Sequence, residues 1–165
     1  MSKNVVITGA NRGIGLALCA EFKAQGDRVF ALCRKSSAEL AALDVNIIEN
    51  IDVATDFGIR AMVSALSHID IDVLVCNAGI LRDESLDALD ISTIRAQFEV
   101  NALAPLRVVE RLQKQLTLGA KVALITSRMG SIADNTSGGR YGYRMSKAAL
   151  NAAAMSLSHD LACRD

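Results

Sequence analysis

Tyr143 and Lys147 stand four positions apart in the stretch "YGYRMSK". Residues at that spacing lie on the same face of an α-helix, so a helix here would place an ammonium group beside a phenol. The positive charge would favour the phenolate, and such a phenol can donate a proton to a developing alkoxide or accept one in the reverse direction. Tyr141 has Met145, not a cation, four residues later. A short motif of this kind also arises by chance, so it indicates catalysis only if other elements build a site around Tyr143.

Ser127 is a candidate for contact with a substrate oxygen. It follows the apolar run "AKVALITS", which predicts a strand over 120–127. Because ligands bind beyond the carboxyl ends of strands in open parallel sheets, its hydroxyl can donate a hydrogen bond as negative charge develops on that oxygen. Ser131, four residues later, is an alternative donor. The polar, Gly-rich stretch 134–140 is predicted to form a loop over the pocket.

A glycine-rich stretch, "TGANRGIG" at 8–15, joins a predicted strand to a predicted helix. Its glycines permit a tight turn and close approach of the backbone to a diphosphate, and the free N–H groups at a helix N-terminus attract anions. In this context the glycines indicate a dinucleotide site, and a tight turn without a ligand is the alternative. The residues assigned to this part of the site are Gly9, Asn11, Arg12, Gly13, Ile14 and Gly15.

Short apolar runs alternate with Ala- and Leu-rich segments along the chain. In the first helix Ile14, Leu18 and Phe22 share a face, and Gly26 marks the C-terminal end. Continuous apolar strands separated by helices predict an α/β fold whose parallel sheet is covered on both faces, here a single domain over 1–165. Strands are predicted over 4–9, 28–34, 45–52, 71–79 and 120–127, and helices over 13–26, 36–43 and 55–67.

The segment 91–118 contains the only proline of the chain, Pro105. Proline lacks a backbone N–H and clashes with the carbonyl four residues earlier, here that of Asn101. A single helix over 91–118 would therefore kink and free this carbonyl to hold an ordered water. A break between two shorter helices is equally compatible with the sequence.

Composition argues against several classes of function. The 165 residues carry 18 basic and 18 acidic side chains, so there is no electrostatic basis for binding nucleic acid or an anionic membrane. No apolar run approaches the ~18 residues of a membrane helix, and the N-terminus lacks a signal-peptide pattern. The cysteines, Cys19, Cys33, Cys76 and Cys163, have no metal-binding spacing and are interpreted as buried free thiols of a cytoplasmic protein.

Five motifs occur in an order that resembles the short-chain dehydrogenase/reductase family. They are T-G-x-x-x-G-x-G at 8–15, "NAG" at 77–79, Asn101, S-x-x-G from Ser127, and Y-x-x-x-K at 143–147. The stretches "FALCRK" and "GGRYGYRMSKAALN" look most similar to C-factor and sniffer-type carbonyl reductases. The resemblance implies a Rossmann-like, doubly wound parallel sheet of about five strands in the order 3-2-1-4-5, and oxidoreduction between a carbonyl and an alcohol with a nicotinamide cofactor.

The same resemblance implies roles for individual residues. Asn101 would position the water that joins Lys147 to a proton relay, and Lys147 would also bind the ribose hydroxyls of the nicotinamide half. The implied catalytic residues are Asn101, Ser127, Tyr143 and Lys147. Further cofactor contacts are Asp52 and Val53 at the adenine, Asn77, Ala78 and Gly79 beneath the cofactor, and Tyr143 with Lys147 at the nicotinamide end.

The residues after the second strand favour NADP(H) over NAD(H). NAD enzymes usually place an acid there to bind the ribose 2′-hydroxyl, but this chain has Arg34 and Lys35 and no acid before Glu39. The guanidinium of Arg34 suits a 2′-phosphate, and Arg12 can contact the same group. Two ordinary surface cations are the alternative.

Members of the resembled family usually continue through a sixth strand, a Pro-Gly turn and a substrate-covering segment. We therefore expect this chain to be C-terminally truncated relative to the family, with an incomplete pocket. Two functions compete: an NADPH-dependent reductase of small-molecule ketones or aldehydes, and a catalytically impaired module that binds nucleotide or dimerises. The resemblance implies a homodimer or homotetramer formed through the helices at 91–118 and 143–163. No metal is expected.

Overall fold

The computed structural model describes residues 2–162. Within that range the chain forms two compact units. One is built from residues 2–78 and 107–125, and the other from residues 79–106 and 126–162. The single domain over 1–165 stays a prediction.

The first unit contains a five-stranded parallel sheet. The strands are β1 (Asn4–Thr8), β2 (Arg28–Leu32), β3 (Asn46–Ile48), β4 (Ile71–Cys76) and β5 (Leu116–Leu124). Their order in the sheet is β3-β2-β1-β4-β5, and each neighbouring pair is parallel. The Rossmann-like α/β fold and its strand order are therefore confirmed. The order reverses between β1 and β4, which is where ligands bind in open α/β sheets.

Three helices begin directly after a residue whose side chain caps them. Ser37, Thr55 and Asp90 precede the helices Ala38–Ala41, Asp56–Ala65 and Ile91–Phe98, and each side chain accepts a hydrogen bond from a backbone N–H of the first turn. Gly26 follows α1 with a φ of +84°, the left-handed conformation that commonly ends a helix. The helices are α1 (Gly13–Ala24), α2 (Ala38–Ala41), α3 (Asp56–Ala65), α4 (Ile91–Phe98), α5 (Ala104–Leu112) and α6 (Tyr141–Ala162).

The core of the first unit packs α1 against the apolar strands. Cys19 of α1 is fully buried, and Leu18 and Phe22 pack against the same cluster. Ile14, which was predicted to share a helix face with Leu18 and Phe22, is 61% exposed and is not part of this core. The buried stripe runs through Gly15 and Cys19, and Ile14 lies about 100° away from Gly15 around the helix axis.

Residues 91–112 are helical without interruption. A π turn, Glu99–Leu103, follows α4 and leads directly into α5. In this turn the N–H of Ala104 donates to the carbonyl of Glu99, which is the five-residue spacing of a π-helix. Pro105 comes immediately afterwards, so a widened turn accompanies the proline in place of a break between two helices.

The last strand starts earlier than predicted. The helix expected over 91–118 ends at Leu112, a 3₁₀ turn covers Gln113–Gln115, and β5 runs over Leu116–Leu124 instead of 120–127. Gly119 has a φ of +75°, and the register between β4 and β5 shifts at this point. A bulge of this kind interrupts the alternation of the strand, which is why its first half was not predicted from the sequence.

Three of the four cysteines lie in the described residues, and all three are buried thiols outside any disulfide, as predicted. Burial raises the pKa of Cys19 to about 11 and that of Cys76 to about 12. Burial also raises the pKa of Cys33. Cys163 lies outside the described residues.

Candidate active site

Tyr143 and Lys147 occupy the first turns of α6. The Nζ atom of Lys147 lies 5.8 Å from the centroid of the Tyr143 ring. Tyr143 is half-buried, whereas Lys147 is only 4% exposed. Burial lowers the pKa of the Lys147 ammonium because the charged form loses hydration. The two predicted partners are thus brought together on one helix face.

Asn101 lies in the π turn and is completely buried. Its Oδ1 accepts from the N–H of Ile80 at 2.8 Å, and its Nδ2 donates to the carbonyl of Ile80 at 2.8 Å and to Oγ of Ser146 at 3.0 Å. Ser146 in turn donates to the carbonyl of Tyr143 at 2.9 Å. The amide of Asn101 therefore ties the 80-region of the chain to α6, beside Lys147. Its role in holding a water stays a prediction.

Ser127 was predicted to end the fifth strand, but β5 already ends at Leu124. It is instead the N-cap of a short 3₁₀ turn, Arg128–Gly130, and its Oγ accepts from the N–H of Met129 at 3.2 Å. The turn after the strand tightens the chain and takes Ser127 out of the sheet. Its hydroxyl keeps a hydrogen to donate.

Two contacts hold the Ser127 turn against α6. A Cβ atom at Gly130 would lie 2.9 Å from the carbonyl carbon of Lys147, so only glycine allows this approach. Thr126 donates through Oγ1 to Oδ1 of Asn151 at 2.6 Å. Asn151 lies four residues after Lys147, on the same helix face. The second unit thereby brings all four predicted catalytic residues onto or against α6.

A row of polar side chains on α4 was not predicted from the sequence. Gln97, which is completely buried, accepts from the N–H of Arg82 at 2.9 Å and donates to the carboxylate of Glu84 at 2.5 Å. Thr93 donates to the same carboxylate at 3.1 Å. With Asn101 on Ile80, this row fixes residues 80–84. The only signal in the sequence was a glutamine and a threonine four residues apart on a predicted helix.

The glycine turn belongs to the first unit, and its backbone requires glycine at two places. Gly9 has a φ of +66°, and a Cβ there would lie 2.8 Å from Cα of Ala78. A Cβ at Gly15 would overlap the carbonyl oxygen of Gly9 and Nδ2 of Asn77. The turn after β1 therefore packs directly against the segment after β4.

The amide of Asn77 is used to build this turn. Its Nδ2 donates to the carbonyls of Thr8 and Gly9, each at 3.0 Å. Oγ1 of Thr8, a buried residue outside the predicted site residues, accepts hydrogen bonds from the N–H groups of Asn77 at 3.0 Å and Ala78 at 3.1 Å. Gly79, the next predicted residue, is exposed and starts the second unit.

The N-terminus of α1 suits an anion. Arg12 is the N-cap, its side chain makes no capping hydrogen bond to any described residue, and no acidic side chain occupies the first turn. Around Gly13, at a φ of +55°, no described atom outside the adjoining residues of the same helix comes within 4 Å of a Cβ position. Uncapped N–H groups and the helix dipole favour a diphosphate here, so these residues fit the phosphates of a dinucleotide.

The end of β2 carries the predicted cations. Arg34 and Lys35 are exposed, and Asn11 of the glycine turn donates through Nδ2 to the carbonyl of Lys35 at 3.0 Å. An acid also reaches this place, because Oε1 of Glu49 accepts from the N–H of Ser36 at 2.5 Å. Glu49 follows β3, so its position was not visible from the residues after β2.

Asp52 and Val53, the predicted adenine contacts, lie between β3 and α3. Oδ1 of Asp52 accepts from the N–H of Ala54 at 3.0 Å, and Val53 is buried. In residues 2–162, no group of three or more potential metal ligands is present. Within the same range, none of the helices combines the length and the apolar character needed to cross a membrane.

The sequence matches the model of the short chain dehydrogenase family over residues 3–165. It is 38% identical over 159 residues to the 1-hydroxy-2-glutathionyl-2-methyl-3-butene dehydrogenase of Rhodococcus sp. (strain AD45), covering 95% of this chain and 70% of that protein. It is 47% identical over 105 residues to the C-signal protein of Myxococcus xanthus, covering 62% of this chain and 63% of that protein.

Solved structures of the same type have a similar fold. A short-chain dehydrogenase/reductase from Burkholderia multivorans with bound NADP has a TM-score of 0.89 at 33% identity, covering 98% of this chain and 74% of that one. The carbonyl reductase Sniffer of D. melanogaster has a TM-score of 0.82 at 28% identity, covering 98% and 76%. The predicted resemblance is confirmed. This chain belongs to the short-chain dehydrogenase/reductase family.

Proposed function

We propose that this chain reduces the carbonyl group of a small ketone or aldehyde to an alcohol, with Tyr143 as the proton donor. The observation that carries the proposal is the placement of a buried ammonium, that of Lys147, beside the Tyr143 ring. A nearby cation stabilises the phenolate that remains after the proton has left. General acid catalysis of this type typically contributes about 10²- to 10⁴-fold to a rate.

Ser127 is the second group that would act on the substrate. Its hydroxyl, held against α6 by the Gly130 contact, would donate a hydrogen bond to the carbonyl oxygen as that oxygen gains negative charge. Asn101 would support the site by fixing α6 through Ser146, and a water held at its backbone would connect Lys147 to solvent.

NADPH is the proposed cofactor, and it would supply the hydride. The turn at Gly9, Gly13 and Gly15 would hold its diphosphate at the N-terminus of α1, and Arg34 with Arg12 would hold its 2′-phosphate. The NADP bound to the Burkholderia structure supports this choice. The remaining proposed contacts are Asn11, Ile14, Asp52, Val53, Asn77, Ala78, Gly79, Tyr143 and Lys147.

The test is oxidation of NADPH by the purified chain with a panel of ketones and aldehydes, beside Tyr143→Phe as a control. Turnover that depends on both the carbonyl compound and Tyr143 is expected. Turnover equal to that of Tyr143→Phe would contradict the enzymatic proposal. Nucleotide binding without turnover would instead favour the catalytically impaired, nucleotide-binding or dimerising module. The cytoplasmic location and the homodimer or homotetramer stay predictions, and the mass in solution tests the latter.

A further inference from the structure

The carboxylate of Glu84 is buried between α4 and the start of α6. Glu84 is 5% exposed. Its Oε1 accepts from Nε2 of Gln97 at 2.5 Å and from Oγ1 of Thr93 at 3.1 Å, and its Oε2 accepts from the N–H of Gly142 at 3.3 Å. Its charge is thus balanced by an amide, a hydroxyl and a backbone N–H. A buried carboxylate is costly unless such partners surround it.

Gly142 is the second residue of α6 and immediately precedes Tyr143. The first N–H groups of a helix lack partners within the helix, and a negative charge beside them is stabilised by the helix dipole. Glu84 supplies both the acceptor and the charge from 58 residues away in sequence. It therefore acts as an N-cap contributed by a distant segment to the helix of Tyr143 and Lys147.

The fit around Gly142 leaves no room for a side chain. A Cβ there would lie 3.1 Å from Oε1 of Glu84 and 3.0 Å from Cα of Ile94, and it would overlap Nε2 of Gln97. The first turn of α6 consequently lies directly on the Glu84 network. Any shift of the carboxylate changes the surface on which this turn rests.

The same segment also holds the residue before α6. The carbonyl of Glu84 accepts from the N–H of Arg140 at 2.8 Å, and Oδ1 of Asp83 accepts from Nε of Arg140 at 2.5 Å. Arg140 has a φ of +52°, which is unfavourable for a residue with a side chain and persists when its surroundings hold it. Asp83 and Glu84 thus determine both the entry into α6 and its first turn.

We propose that Glu84 is a positioning residue for Tyr143, which it acts on through the first turn of α6. The proposal rests on the proposed function, since Tyr143 is taken as the proton donor. A carboxylate is required because three donors converge on two acceptor oxygens. Glutamine would replace one oxygen with an NH₂ group that faces a donor, although it has the same shape.

The test compares Glu84→Gln with Asp87→Asn, which removes an exposed carboxylate from the same stretch. We expect the kcat of Glu84→Gln to fall about 10- to 100-fold, because displacement of a catalytic group by up to about 1 Å lowers a rate by this much. The KM for NADPH should stay close to that of the wild type. Asp87→Asn should behave as the wild type does in both respects.

Hydrogen exchange of the backbone amides provides a readout that does not need activity. Faster exchange at 141–147 in Glu84→Gln, with unchanged exchange in β1 and β2, is expected. Unchanged exchange at 141–147, or equally faster exchange throughout the chain, would overturn the proposal. If the wild type has no turnover, the proposed function fails while exchange still decides whether Glu84 holds α6.

Thr93→Val serves as the second variant if Glu84→Gln does not fold. It removes one donor and keeps the charge of Glu84. The same local increase in exchange at 141–147 is expected, with a smaller loss of kcat. Exchange and kcat like those of the wild type would count against Glu84 as a positioning residue.

Discussion

The ammonium of Lys147 lies 5.8 Å from the centre of the Tyr143 ring while 4% of the lysine is exposed. A cation at this distance from an aromatic ring is attracted by it. The loss of hydration nevertheless lowers the pKa of Lys147. Ionisation of this lysine is therefore linked to the stability of the fold as well as to the phenol beside it.

Replacement of Lys147 by methionine is expected to remove a contribution to stability that rises with pH. The pKa of Lys147 in the folded protein lies below its ordinary value of 10.5. The unfolded chain therefore binds more protons at pH values between the two, and the free energy of unfolding rises with pH across that interval. Lys147→Met should lack this contribution.

Urea denaturation of both proteins from about pH 7 to about pH 10.5 measures the difference, because this range ends at the pKa of an unperturbed lysine. The buried cysteines contribute equally to both proteins and cancel in the comparison. Parallel stability curves for the wild type and Lys147→Met would show that burial of the ammonium has no energetic effect.

Ser127→Ala is expected to lower kcat by about 100-fold or more, the usual effect of removing a donor to a developing oxyanion. Ser131→Ala is the matched control, because the Ser131 hydroxyl accepts from the N–H of Asp134 at 3.2 Å within an exposed loop. Steady-state reduction of an active carbonyl substrate measures both variants. A larger loss in Ser131→Ala would transfer the donor role to that residue.

Thr8→Val is expected to destabilise the fold. The variant leaves the N–H groups of Asn77 and Ala78 without the hydroxyl that accepts both of them. Each buried unpaired donor costs about 1–3 kcal/mol, so a loss of about 2–6 kcal/mol in the free energy of unfolding is expected. Thr8→Ser keeps the hydroxyl and should lose only about 1 kcal/mol for the methyl group. Equal urea midpoints for the two variants would contradict this role of Thr8.

Arg34→Ala is expected to weaken the binding of NADPH and to leave NADH unaffected. A charge-assisted hydrogen bond contributes about 1.5–3 kcal/mol, which corresponds to roughly a tenfold to 100-fold change in Kd. Calorimetric titration with each nucleotide measures the effect, and Lys35→Ala shows whether a neighbouring cation matters as much. Tighter binding of NADH than of NADPH by the wild type would refute the assignment of Arg34 to the 2′-phosphate. The carboxylate of Glu49, which lies beside Ser36, would then be the next residue to test for an effect on cofactor preference.

Local patterns predicted the positions of the strands because most of them are short, largely apolar runs that end near a turn residue. Ser37 and Thr55 cap two helices in the structure, close to positions 36 and 55, where those helices were predicted to begin. The strand order and the site residues were predicted from the family resemblance, which rested on the order of the five motifs. The structure corrected boundaries where a local irregularity intervenes, as at Gly119 in β5 and in the turn that starts at Ser127.

Partnerships across long sequence separations could not be predicted. Thr8 and Asn77 are 69 residues apart and Glu84 and Gly142 are 58 apart, and nothing in either local stretch indicates the other. Such contacts depend on which segments the fold brings together. A buried polar side chain is recognised only after its neighbours are known.

The polar row on α4 and the π turn also has a geometric consequence. Its members, Thr93, Gln97 and Asn101, are four residues apart along the helix. They form hydrogen bonds with Glu84, Arg82 and Ile80, which are two residues apart. Four residues of helix rise about 6 Å, and two residues of an extended chain advance about 6.6 Å. The two repeats stay in step for three positions, so adding or deleting one residue within either stretch would put at least one of these pairs out of register. Length, more than the identity of its exposed side chains, is what this part of the chain must preserve.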